Sequence, residues 1–332
     1  MNGLLLLSAY GQARRRLTVG LVRELARRWP IWVITNHTHY RYLVDEFIVI
    51  RRARLKLNVL RPPQAIDPFA WRARLWESFC GIFGVKGEEA VQGAEILEDV
   101  VAEKGAAKAT LVDFSKRIVP FVHRPDFSTL VARIADAMKH LAPILKDPSG
   151  LDLSGLRSRS VVFELTDLPL RHQAFLTGAL LEGEALGGAP GSLNRLIWFD
   201  EGALLWRTRW PKPLRSRWIE ALGALDRAGL GVAIVTGAAS ALDPSVYETL
   251  GTRIALRRQN QNEEALVMRL VGAGHRSFAL LGDDQLMLAQ KDASVHPTIV
   301  DLDATLLQEL PQSIHNDRLD DIIDIELRAL GL

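Results

Sequence analysis

RLIWFDEGALLW, residues 195–206, is the stretch on which the fold turns. Four apolar residues, Leu196, Ile197, Trp198 and Phe199, run without a break into Asp200 and Glu201. An unbroken apolar run of that length, closed by polar residues, is the pattern of a parallel strand buried on both faces. Two carboxylates then stand at the strand's C-terminal edge, where α/β sheets bind their ligands. The same dipeptide also reads as an ordinary strand exit in which Asp200 caps the next helical turn. Spacing alone leaves both readings open.

The flanking sequence repeats the strand-helix alternation. Residues 161–165 read as a strand, 172–186 as a helix, 214–228 as a helix and 232–235 as a strand that runs into Thr236 and Gly237. Residues 246–250 predict a short helix, 253–256 a strand and 263–271 a helix. Residues 277–281 and 286–289 read as a hairpin around Gly282, with an edge strand at 297–300. At the other end of the chain, residues 3–7 are a short apolar strand and 18–28 carry apolar residues at helical spacing until Pro30. Strands at 31–35 and 47–50 follow. Between residues 67 and 145 the pattern is helical throughout, with almost no strand signal. The fold class expected is α/β: a mostly parallel sheet with an all-helical insertion. The sheet core would comprise residues 1–60 and 155–305, the insertion 61–154 and an acidic amphipathic tail helix 306–332.

Composition narrows the class. The chain has 332 residues, 48% hydrophobic and 24% charged, with a net charge of +2. That balance is globular, and its charge bias is too small to identify a nucleic-acid partner. A single cysteine, Cys80, excludes a disulfide framework and a multi-thiolate zinc site, and fits the cytoplasm. The apolar start is too short to span a membrane and lacks the flanks of a signal peptide. His37 and His39 have metal-like spacing, but no third ligand is nearby, so they read as a polar loop at the sheet edge and no metal site is expected. No nucleophile elbow of the G-x-S-x-G type is present.

Taken in order, these segments resemble the HerA/FtsK superfamily of P-loop ATPases, in its HerA-like and conjugative-coupling branch. The resemblance rests on LNVLRPP (57–63) followed by DPFAWRARLWESFCGIFGV (67–85), on TLVDFSKRI (110–118), and on VVFELTDLP (161–169) with HQAFLTGALLEGE (172–184). It continues through LIWFDEGALL (196–205) in the Walker B place, LDRAGLGVAIVTGAASAL (225–242) in the sensor place and TRIALR (252–257). It implies a RecA-like core, commonly in a hexameric ring, that moves DNA with ATP and magnesium. In that frame Asp200 holds the metal, Glu201 orients the attacking water and Thr236 reads the γ-phosphate.

The chain departs from the family at the phosphate loop, G-x-x-x-x-G-K-[ST]. Set after the first strand, in LLLLSAYGQARRRLT (4–18), the two glycines fall on Ser8 and Ala13, the lysine on Arg14 and the hydroxyl residue on Arg15. Gly11 occupies a free position, and Arg16 adds a third cation. At the sensor the family's glutamine falls on Gly237. A Cβ in place of the last glycine obstructs the phosphates, and arginine does not fill a lysine's slot. Three arginines at a helix N-terminus either hold an anion or form a solvated basic turn. Ser8, Gly11, Ala13, Arg14, Arg15, Arg16 and Thr236 are thus the candidate nucleotide or anion residues.

The resemblance with these departures implies an ATPase fold whose hydrolysis is lost or strongly reduced, with ATP and magnesium as cofactors only if the site survives. Its role would be a DNA-binding or scaffolding subunit of a DNA-transfer, packaging or defence machine. Two alternatives stand: an active DNA translocase with a non-standard loop, and a non-catalytic subunit completing a mixed ring beside an active paralogue. DNA and protein partners and an oligomer are expected, without a membrane span. RTRWPKPLRSRW (207–218) makes Arg207, Arg209, Arg215 and Arg217 candidate DNA contacts, or Trp210 and Trp218 simply cover the sheet. Arg253 and Arg257 are candidate arginine fingers, with an internal ion pair as the other reading.

Overall fold

The computed structural model describes residues 3–9, 11–63, 66–187, 191, 193–257, 262–274, 278, 280–282, 284–290, 297–302, 323 and 327. Strands β1 (Gly3–Leu7), β2 (Ile31–Thr35), β3 (Ile48–Arg51), β4 (Val161–Glu164), β5 (Arg195–Asp200), β6 (Leu230–Thr236), β7 (Thr252–Leu256), β8 (Gln285–Gln290) and β9 (Thr298–Asp301) form one sheet. Its order is β3-β4-β2-β5-β6-β1-β7-β8-β9. The first seven positions pair in parallel, and β8 and β9 are antiparallel. Every residue of β2, β4 and β6 is buried, as continuous apolar runs in a sheet covered on both faces require.

The crossover helices between parallel strands are α1 (Gln12–Ala26), α6 (Leu170–Gly187), α7 (Lys212–Arg227) and α8 (Pro244–Thr249), and α9 (Glu264–Val271) joins β7 to the antiparallel β8. Between β3 and β4 lie α2 (Pro68–Phe83), α3 (Gly87–Lys104), α4 (Leu111–Ile118) and α5 (Ser128–Leu145). The start of α2 is fixed by Asp67, whose side chain accepts from the Ala70 N–H, with Pro68 at the first helical position. At α4, Thr110 and Asp113 form a reciprocal capping box. An aromatic group joins these helices to the core: Trp76 stacks on Phe79, which meets Phe175 of α6 edge-on. The aliphatic and aromatic side chains of sheet and helices form a single buried cluster.

Two expectations are corrected. The helix placed at 18–28 begins at Gln12, so Arg14, Arg15 and Arg16 lie inside its first turns and not in a loop before it. The hairpin placed at 277–281 and 286–289 is instead β8 with β9, while β8 also pairs with β7. Phe278 is helical and buried, whereas Leu280 is exposed and the buried Leu281 lies outside any strand. The remainder of the expected 306–332 helix lies outside the described residues, apart from Ile323 and Leu327, both buried.

Candidate functional site

The strand order brings three carboxyl ends together. β6 stands between β5 and β1, with Asp200 in register with Val235 and Leu7 with Thr236. Asp200, Thr236 and Ser8 therefore meet at one edge, and α1 leaves from the same point. The Ser8 N–H donates to the Thr236 carbonyl at 3.1 Å.

Helical phase decides which arginine enters. Arg14, Thr18 and Val22 are spaced at four residues and lie on the buried stripe of α1, whereas Arg15 points to solvent and Arg16 is half-buried. The Arg14 side chain is only 1% exposed, and its Nη2 donates to Asp200 Oδ1 at 2.9 Å. The same nitrogen lies 3.5 Å from Glu201 Oε2, and Nη1 reaches the Ser8 carbonyl at 3.4 Å. Burial alone would lower the Arg14 pKa, but Asp200 and then Glu201 outweigh it and hold the guanidinium charged, above its ordinary value.

The other oxygen of Asp200 is also engaged. Thr35 Oγ1, at the end of β2, donates to Asp200 Oδ2 at 3.2 Å. His39 Nε2 is 3.7 Å from the same oxygen and 3.4 Å from Thr18 Oγ1. Burial pushes the His39 pKa down to about 4, more than Asp200 can offset, so the ring is neutral near pH 7. The His37 pKa is lowered too, first by burial. The polar loop expected for His37 and His39 is thus corrected for His39. It is 6% exposed in a short 3-10 turn (His39–Leu43), tucked behind the acidic pair because α1 and β2 close over it. Among the described residues no group of three or more His, Cys, Asp or Glu side chains could hold a metal ion.

Glu201 takes the left-handed conformation, φ 79° and ψ 60°, which costs a non-glycine residue about 1–2 kcal/mol. It is held there by Thr236 Oγ1, which donates to its Oε1 at 3.2 Å, and by Arg14. Burial, first of all, raises its pKa. The chain then turns at Gly202, where a Cβ would lie 2.0 Å from Ile234 Cγ2. Gly237 is also closely approached. A Cβ there would sit 3.0 Å from the Ser8 carbonyl oxygen and 3.4 Å from Arg14 Nη1. A side chain at 237 would therefore crowd the Ser8 backbone, while its distance to the guanidinium is close to that of ordinary contact.

The remaining candidates divide. Gly11 is the N-cap of α1 in extended backbone, and Ala13 is half-buried beside it. Arg207 Nε donates to the Ala203 carbonyl at 2.6 Å, and Arg209 is exposed, its guanidinium 5.2 Å from the Trp210 ring centre. Burial first, then Arg207 and Arg171, lower the Arg209 pKa, so three cations lie near one another on this side. Arg215 and Arg217, the other candidate DNA contacts, are held in internal ion pairs. Arg215 pairs with Asp243, and Arg217 pairs with Glu182 at 3.0 Å and Glu77 at 2.7 Å, tying α7 to α2, α6 and the start of α8. Arg253 is likewise engaged, donating to the carbonyls of Leu270 at 2.7 Å and Tyr247 at 2.9 Å, while Arg257 is exposed. Sequence reasoning missed Thr35, the last residue of the expected strand 31–35, and the approach of His39 to the acidic pair; the signal for both was a place at a strand's carboxyl end, which local pattern cannot rank.

No family model and no curated protein matches the sequence. Solved structures do match in fold. VirB4 of Thermoanaerobacter pseudethanolicus superposes with a TM-score of 0.69 at 13% identity, over 92% of this chain and 91% of that one. The plasmid coupling protein TrwB, in complex with the ATP analogue ADPNP, gives 0.64 at 13% identity, over 91% and 85%. TrwB with ADP and Mg2+ gives 0.60 at 14% identity, over 94% and 87%. Among the described residues no helix is long and apolar enough to cross a membrane. The chain thus has a RecA-like α/β fold shared with these structures, with a buried arginine between the two acids at the end of β5.

Proposed function

We propose that this chain is an ATPase-like subunit of a DNA-transfer, packaging or defence machine that has lost ATP hydrolysis. The observation that carries the reading is the Arg14 guanidinium on Asp200 and Glu201. The resemblance puts a magnesium ion on Asp200, yet both oxygens of that carboxylate already have partners, Arg14 and Thr35. The residues present do not fit the metal: a fixed cation stands in its place and supplies its charge. Ser8 and Ala13 also lack the glycine freedom by which a phosphate loop approaches its anion. The acidic pair then serves as an internal anchor for α1.

The role left to the subunit is to bind DNA or to scaffold, in the cytoplasm and within an oligomer. The exposed Arg209, with Arg207 and Arg171 near it, supports phosphate contacts of the sequence-independent kind. A place in a mixed ring is supported by Arg257, exposed after β7. Calorimetry with an ATP analogue and magnesium tests the core of the reading. The expected result is no saturable binding at about 1 mM nucleotide. ATP turnover that Glu201→Gln abolishes would refute it and establish the active translocase instead.

A further inference from the structure

The helical insertion touches the core helix α6 through α2 and α5, and two histidines stand at the α5 contact. His172, in the first turn of α6, is 3% exposed. The ring of His140, on α5, meets it edge-on with centroids 4.9 Å apart. Phe83, the last residue of α2, packs edge-on to the same His172 ring at 5.2 Å. A buried imidazole of the core is thus enclosed by two side chains of the insertion.

The surroundings of His172 accommodate one proton. Its Nε2 faces the Asp136 carbonyl oxygen of α5 at 3.5 Å, and a carbonyl only accepts, so Nε2 carries the proton. Its Nδ1 is buried and has no hydrogen-bond partner. A second proton at Nδ1 would create a buried cationic donor with no acceptor, and a charged His140 would then face it at ring contact. The other charged groups nearby leave this unrelieved. On α5, Asp136, Arg133 and Lys139 are exposed. On α2, Arg72 and Glu77 pair with Glu98 and Arg217, and Arg74 acts on Glu182. Lys86, just after α2, is exposed, and Arg171 beside His172 is exposed and acts on Arg209. Burial lowers the His172 pKa by more than the Asp136 carbonyl and carboxylate raise it, and His140 lowers it further.

We propose that His140 and His172 form a pH-sensitive latch between the helical insertion and the core, closed while both rings are neutral and released when they take up protons. A released His172 regains the ordinary value of about 6.5, above that of the closed contact. The open form therefore binds more protons below that pH, so the contact is complete above it and is lost as pH falls. Release frees α5, while Phe79 against Phe175 keeps α2 on α6. The latch is separate from the Arg14 cluster and does not rest on the loss of hydrolysis.

Hydrogen exchange of the full chain at about pH 7.5 and about pH 5.5, corrected for intrinsic rates, tests the latch. Protection of the α5 amides should fall about tenfold at the lower pH, the effect of one histidine one pH unit below its ordinary value. It should stay below the protection of β5 and β6 at both pH values, which marks a local opening. Glutamine keeps a donor for the Asp136 carbonyl and takes no proton, so His172→Gln should hold α5 protection constant over this range. His140→Gln should reduce the fall, and serves as the test where His172→Gln does not fold. No fall in the parent chain, an undiminished fall in either variant, or α5 protection equal to that of β5 and β6 would overturn the proposal.

Discussion

Replacing Arg14 by methionine is the most informative perturbation, because methionine keeps much of the length and removes only the charge and donors. At an effective dielectric of about 20, charges 2.9 Å apart attract by roughly 6 kcal/mol. Desolvation of both groups offsets part of this. What remains when one partner of a buried pair is deleted is a loss of about 3–5 kcal/mol, since Asp200 is left buried with Thr35 as its remaining strong donor. Glu201 loses a partner at 3.5 Å as well, and its side chain then keeps the Thr236 hydroxyl. With a urea m-value of about 3 kcal/mol/M, the midpoint should fall by roughly 1–1.7 M. Asp200→Asn should cost less, because Arg14 keeps Glu201. The double variant Arg14→Met with Asp200→Asn should be more stable than the sum of the single losses predicts, by about 2–3 kcal/mol. Urea unfolding followed by tryptophan fluorescence reads all three. Strict additivity, or a single-variant loss under about 0.5 kcal/mol, would refute the pairing and leave the acidic pair free for a metal.

Gly237→Ala should destabilise by about 1–3 kcal/mol, since its Cβ meets a backbone oxygen at 3.0 Å, and the loss should persist in Arg14→Met, because the crowded atom belongs to Ser8; a loss that vanishes in that background would place the conflict at the guanidinium instead. His39 is held neutral with a pKa near 4, below its ordinary value, so the unfolded chain binds more protons between pH 6.5 and 4. Stability is therefore full above about pH 6.5 and falls by about 3 kcal/mol on going to pH 4; His39→Gln should flatten that part of a stability–pH curve, and an unchanged slope would contradict the placement of the ring. Burial, and secondarily Glu77, push the Cys80 thiol up to about 12, so native protein should react with iodoacetamide at pH 8 at least about tenfold more slowly than urea-unfolded protein; equal rates would count against it. Arg209→Ala should weaken duplex DNA binding and lower the salt slope by about one, whereas Arg217→Ala should lower stability and leave that slope alone; the reverse pattern would return Arg217 to the DNA surface.

The sequence by itself determined the strands and their edge. Runs such as Leu196 to Phe199 and Gly231 to Val235 have one reading in a sheet covered on both faces, and their polar exits mark the carboxyl ends. The insertion helices were legible because their period and caps are local, as at Asp67 and Thr110. The tertiary structure alone decided what the site residues touch. Arg14 and Asp200 are 186 positions apart, and they meet because β6 stands between β1 and β5. No local pattern encodes that neighbourhood. The start of α1 was obscured because arginines in a first turn carry no apolar signal, although the i, i+4, i+8 row Arg14, Thr18, Val22 was present. The arginines of 207–218 looked equivalent in sequence, yet Arg215 and Arg217 face carboxylates of other elements while Arg209 faces water. Hydrophobic burial is written along the chain in periods of two and 3.6. Charge pairing is written only in space, since a buried charge must find its complement wherever the folded backbone brings one.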